Sequence, residues 1–159
     1  MSDTDPTVDV LKEAFGEAVL GHEVFRGQLS VLVNKDRIAE VCAFCRDDER
    51  LRYDMLADLT AVDYLPRSPR FQVVYNLYSF PHNRRLRLKA PVEENETLST
   101  VEGVWKAANW LEREVYDLFG IVFDGHSDLR RILLWDGYIG HPLRKDFPLE
   151  GIPQKVSYS

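Results

Sequence analysis

The chain has 159 residues, a formal net charge of −6, and a composition that is 45% apolar and 29% charged, enough for one hydrophobic core with an appendage. The acidic balance argues against a nucleic-acid-binding module, which presents a basic face to phosphates, and two cysteines do not make a disulfide scaffold. No apolar run approaches the roughly 18–20 residues that cross a bilayer, and the acidic N-terminus MSDTDPTVDV lacks the basic and apolar regions of a signal peptide, so a cytosolic or peripherally attached protein is expected.

Asp5-Pro6 followed by Val8, Leu11, Phe15, Ala18 and Val19 reads as a capped helix of about four turns with one apolar stripe, stopping at Gly21. From Glu23 to Val33 the residues favour strands, with Gly27-Gln28 as the turn of a hairpin. Asn34 or Asp36 then caps a second helix whose apolar positions are Ile38, Val41, Cys42 and Cys45. Three strands follow: Tyr53 to Val62, Phe71 to Ser79 and Arg84 to Val92. In the last of them Leu86, Leu88 and Ala90 point inward and Arg85, Arg87 and Lys89 outward, the alternation of a sheet with one wet face. Ser99 and Glu102 stand at capping-box spacing before a stripe of Val101, Val104, Trp105, Ala108, Leu111, Val115, Leu118 and Phe119, and Gly120 ends that helix. Beyond it the chain has no sustained periodicity. The order α-β-β-α-β-β-β-α predicts a two-layer α+β domain over residues 1–120, with a mixed or antiparallel sheet, and an extended C-terminal docking segment over 121–159.

That segment balances five Lys/Arg against five Asp/Glu from Gly120 onward and interleaves them with Phe123, Trp135, Tyr138 and Phe147. Charges set among aromatics are costly to desolvate unless each finds a partner, and an apolar surface of this size needs a cover. The expectation is that the segment cannot satisfy its own ionic and aromatic groups and that another polypeptide completes it. On the helix before it, Glu112 falls on the apolar stripe. Either Arg130 or Arg131 folds back to pair with it, or its carboxylate reaches water at the stripe's edge. Arg113 and Asp117, four apart, lie on the opposite face and predict a weak surface pair.

Cys42-Ala43-Phe44-Cys45 has the spacing of a dithiol redox site, which defines a rival reading as a stand-alone dithiol redox protein. Both cysteines, however, fall on the apolar stripe inside the helix, where they read as small buried hydrophobes. His22, His82, His126 and His141 are too scattered for a zinc site. There is no phosphate loop, dinucleotide fingerprint or nucleophile elbow. The tail carboxylates leave a hydrolase as a third reading, with no recognisable pocket to support it.

Glu112-Arg113-Glu114 with Asp117, His126, Arg130 and Ile132-Leu133, the run from Gly140 to Pro148 (GHPLRKDFP), Asp58 to Tyr64 (DLTAVDY) and the strand Phe71 to Ser79 together resemble the 30 kDa-type subunit family of respiratory complex I, over about Tyr53 to Leu149. The resemblance implies a non-catalytic peripheral-arm subunit of a proton-translocating NADH:quinone oxidoreductase, lying on the cytoplasmic side of the bacterial inner membrane. It further implies docking on the 49 kDa-type large subunit beside neighbouring iron–sulfur subunits. No cofactor belongs to such a chain; FMN, iron–sulfur clusters, NADH and quinone are handled by other subunits. By position Glu112, Arg113, Glu114, Asp117, His126, Arg130 and Arg131 carry the first motif, and His141, Arg144, Lys145 and Asp146 the second, with a structural, partner-facing role implied. Related subunits occur in ferredoxin- and hydrogenase-type membrane complexes, which is the alternative within the same class.

Overall fold

Alternating apolar and polar residues can be satisfied by a sheet with one covered face, and the computed structural model, which describes residues 5–135 and 137–154, is built around such a sheet. The chain runs α1 (Thr7–Phe15), β1 (Val19–Phe25), β2 (Gln28–Val33), α2 (Ile38–Asp47), β3 (Met55–Asp63), β4 (Phe71–Ser79), β5 (Arg84–Val92), β6 (Thr97–Ser99), α3 (Ala107–Phe119) and β7 (Val122–Asp124). Strands β1 to β5 form one sheet in the order β1-β2-β5-β4-β3, and β6 pairs with β7 in a second. The large sheet is mixed: β2 and β5 run parallel, while its other neighbours are antiparallel. Strands β4 and β5 have the bounds that their alternation predicts.

All three helices contribute to one core. Val10 and Leu11 of α1, Ile38, Val41, Cys42 and Cys45 of α2, and Ala108, Val115 and Phe119 of α3 pack with the buried residues of the sheet, among them Phe71, Val73, Tyr75 and Leu77 of β4 and Leu86, Leu88 and Ala90 of β5. The other sheet face carries Arg85, Arg87, Lys89 and Asn76, and among the described residues the helices' buried side chains pack on the opposite, inward face.

Several boundaries differ from expectation for identifiable reasons. Helix α1 ends at Phe15 rather than running to Gly21, because Gly16 takes φ +54 and closes a bond to the Lys12 carbonyl. Val19 therefore starts a strand. The hairpin turn is Arg26-Gly27, both at positive φ, one residue earlier than Gly27-Gln28; two such residues are what a two-residue turn between twisted strands requires. Helix α3 begins at Ala107 rather than near Ser99, which lies in β6. Strand β7 follows Gly120 at once, and Ile121 and Phe123 are core residues, so the irregular segment starts beyond Asp124.

Candidate functional site

The two motifs meet around the C-terminal half of α3, and their first carboxylate is Glu112. It is fully buried, on the stripe as its position predicts. Its partners are not arginines. Thr100 Oγ1 donates to one carboxylate oxygen and the Val101 N–H to the other at 2.9 Å. His126 Nε2 stands 4.0 Å away, bonded instead at 2.9 Å to the Asn109 carbonyl, while its Nδ1 receives the Asp128 N–H. Burial pushes the Glu112 carboxyl up to about 7, against the pull of Thr100 and Val101. The predicted pair with Arg130 or Arg131 is thus replaced by neutral donors: Arg130 pairs with Asp128 on the surface and Arg131 turns to Asp117. Glu102, expected as half of a capping box, accepts from Asn109 and from the Ser127 N–H, tying the start of the irregular segment to α3.

Asp117 reverses the prediction of an exposed pair with Arg113. It is as inaccessible as Glu112. Arg131 Nη1 donates to it at 2.7 Å, and the backbone N–H groups of Ile132, Leu133 and Leu134 donate at 3.1, 2.8 and 3.0 Å. Burial raises the Asp117 carboxyl, but these donors outweigh it and hold the group below the usual carboxylate range. Arg113 donates to the carbonyls of Arg130 and Arg131 instead, and Glu114 accepts from Trp110 Nε1.

The last four carbonyls of any helix lack partners within it. In α3 the C-terminal segment supplies most of them. The Gly120 N–H reaches Tyr116 O; Arg131 and His141 both reach Asp117 O; the Leu143 N–H reaches Leu118 O; Arg144 Nε reaches Phe119 O at 2.6 Å. Two arginines also suit the negative end of the helix dipole. Gly120 permits this crowding, since at φ +78 a Cβ would lie 2.7 Å from His141 Cδ2 and 2.8 Å from Arg144 Nη2. Burial lowers the His141 ring.

The second motif closes on the sheet. Arg70, 4% exposed, makes a fork to Asp63 at 2.9 and 2.8 Å and reaches Asp146 at 2.8 Å and Glu94 at 3.2 Å. Asp63 also accepts the Lys145 N–H at 2.7 Å. Burial works against the ionised Asp63, yet Arg70 and the Lys145 and Leu65 N–H groups drive its carboxyl far below the usual range. Arg70 and Glu102 stand outside the resemblance motifs. The available signal for Arg70 was a lone charge next to an apolar strand.

The structure therefore overturns half of the premise about the segment. Its charges at Arg131, Arg144 and Asp146 find partners within the chain. Several of its large apolar groups do not: Leu133, Trp135, Ile139 and Leu143 are 55%, 51%, 42% and 52% exposed, Leu149 projects fully, and Trp110 of α3 is exposed as well. Trp135 packs edge-on against Tyr138 at 5.0 Å.

Elsewhere, Cys42 and Cys45 are both inaccessible, and burial pushes both thiols up, away from the thiolate that dithiol exchange needs. Among the described residues no group of three or more His, Cys, Asp or Glu is able to hold a metal ion, and no helix is long and apolar enough to cross a membrane.

Comparison with known proteins gives a consistent result. Residues 31–153 match the family model described as "Respiratory-chain NADH dehydrogenase, 30 Kd subunit". The C-type subunit of the NADH-quinone oxidoreductase of Geotalea uraniireducens (strain Rf4) is 53% identical over 99% of this chain and 95% of the relative. That of Geobacter sulfurreducens is 49% identical over 99% and 97%, and that of Roseiflexus sp. (strain RS-1) 48% over 92% and 85%. A chain in the structure of the membrane-bound sulfane sulfur reductase, an archaeal respiratory membrane complex, shares the fold with a TM-score of 0.77 at 23% identity, covering 93% of this chain and 87% of that one.

Proposed function

Since the chain belongs to the respiratory-chain NADH dehydrogenase 30 kDa subunit family and is by that membership a subunit of an NADH-quinone oxidoreductase, we propose that it docks on the 49 kDa-type large subunit through the apolar side of its C-terminal segment. On this reading it holds the quinone-site subunit in the peripheral arm, on the cytoplasmic side of the bacterial inner membrane, while electrons pass from NADH to quinone. It carries no catalytic centre; FMN, iron–sulfur clusters, NADH and quinone are bound by other subunits. One observation carries the proposal. The segment spends its charges on its own domain, at Asp117, Arg70 and the end of α3, and presents Leu133, Trp135, Ile139, Leu143 and Leu149 outward. Internal ion pairs hold that surface in place before any partner arrives, which reduces the ordering cost of association.

Each aliphatic or aromatic side chain covered by a partner contributes about 1.5–3 kcal/mol. A Trp135→Asp/Leu143→Asp variant is therefore expected to keep the circular dichroism and melting temperature of the isolated chain while losing co-purification with the co-expressed large subunit. Retention of the large subunit by that variant would sink the reading.

A further inference from the structure

The bare face of the sheet holds a second, separate feature. Strands β2 and β5 pair in parallel only from Ser30↔Arg87 to Leu32↔Lys89, although β5 starts at Arg84. Toward the hairpin end Gln28 and Leu29 of β2, and Arg84 to Leu86 of β5, stand outside that pairing. At this fork a cavity of about 500 Å³ opens, lined by Gln28, Met55, Asn76, Tyr78, Arg85 and Arg87. Its cations are not neutralised. Arg87 is held at 3.0 Å by two uncharged acceptors, Asn76 Oδ1 and Gln28 Oε1. Arg85 has no hydrogen-bond or ion-pair partner among the described residues, and Asp58 is the one acid of the lining. Exposed Phe80 and Met55 border the same cavity, and Phe25 pairs across the β1–β2 hairpin with Gln28 and is also exposed.

A positive cleft on a chain of net charge −6 is built against the molecule's own surface. Guanidinium groups ringed by Phe and Met have the composition of the energetically dominant part of protein interfaces. We propose that this fork is a second docking site, receiving an extended segment of another polypeptide whose carboxylate side chain meets Arg85 and Arg87 and whose flanking apolar residues cover Phe25, Met55 and Phe80. The preset Arg87 favours a carboxylate, because its fork of donors arrives already oriented. The site rests on the reading of this chain as an assembly subunit, but it lies on the sheet face away from the helices, apart from the C-terminal segment.

The test uses the assembled complex with a photoreactive benzoylphenylalanine in place of Phe80, and in a second preparation in place of Trp135. The expected result is a Phe80 cross-link to a peptide containing Asp or Glu from another subunit, falling about tenfold on Arg85→Glu, with the Trp135 cross-link unchanged. No Phe80 cross-link beside an intact Trp135 cross-link overturns the fork and leaves the docking surface standing. Loss of the Trp135 cross-link as well would instead strike the docking reading itself. A Phe80 adduct to lipid or to a small molecule, or a peptide cross-link indifferent to Arg85→Glu, also overturns the proposal. Because the Arg85 side chain is exposed and unpaired, the charge reversal leaves the core untouched.

Discussion

Helix α3 buries two carboxylates five residues apart, and their surroundings make them opposites. Glu112 is met by a hydroxyl, one backbone N–H and an imidazole already bonded elsewhere, so burial dominates and its carboxyl rises to about 7. Asp117 is met by a guanidinium and three backbone N–H groups, and its carboxyl falls. Two carboxylates closed to solvent thus take opposite charge preferences, because Glu112 lies deeper with few donors while Asp117 lies shallower with four. The upper end of α3 is a protonatable seam against β6; the lower end is an ionic clasp that folds the C-terminal segment back on the domain.

The largest test of this contrast is to break the clasp. Asp117→Ala takes the carboxylate from half-buried Arg131 and leaves three N–H groups without an acceptor, a loss of about 2–4 kcal/mol. Urea denaturation near neutral pH should show that loss, and a change under about 1 kcal/mol would mean that the segment is not clasped there.

The seam is tested by pH. Folded Glu112 titrates near 7 and an unfolded glutamate at 4.5, so between these values the folded state keeps a proton that the unfolded state has released. Its contribution is whole below 4.5 and is lost as pH rises through 7, by roughly 3 kcal/mol. Glu112→Gln should accordingly flatten the fall in stability between pH 5 and 8. Asp117 has the reverse sign: with its folded pKa below the ordinary 3.8, its stabilisation is present above that value and is lost as pH falls through the folded pKa. An unchanged slope in Glu112→Gln would refute the protonated seam.

A smaller effect is expected at Gly120, where alanine meets both a left-handed φ and the close approach of His141 and Arg144. Gly120→Ala should cost about 2 kcal/mol and loosen the segment, visible as faster proteolysis after Asp124. The smallest belongs to Arg130 and Asp128, an exposed pair at 3.1 Å. Asp128→Ala should change stability by no more than a few tenths of a kcal/mol. Together with Asp117→Ala, it separates a buried pair from a surface one.

Much of this was legible from periodicity. The bounds of β4 and β5, the wet row of Arg85, Arg87 and Lys89, the place of Glu112 on the apolar stripe and the stop at Gly120 all follow from residue type and spacing alone, while the structure decided that Glu112 is buried rather than reaching water. The burial of Asp117 does not follow from them. A helical stripe marks the side that faces the sheet, and Asp117 faces a second cover, the returning segment, which has no period to read. The β6–β7 pairing and the parallel contact of β2 with β5 were hidden for a related reason, since strands joined through long connections carry no local signature of their neighbour. Arg70 was missed because its partners, Asp63 and Asp146, lie 7 and 76 residues away in the chain.

Sequence by itself thus determined the three helices, the five strands of the large sheet, the stop at Gly120 and the resemblance that marks the family. Tertiary structure alone decided which charge meets which. Pairing depends on distances between groups far apart in the chain, and one buried carboxylate is driven up or down according to donors that only folding brings within 3 Å.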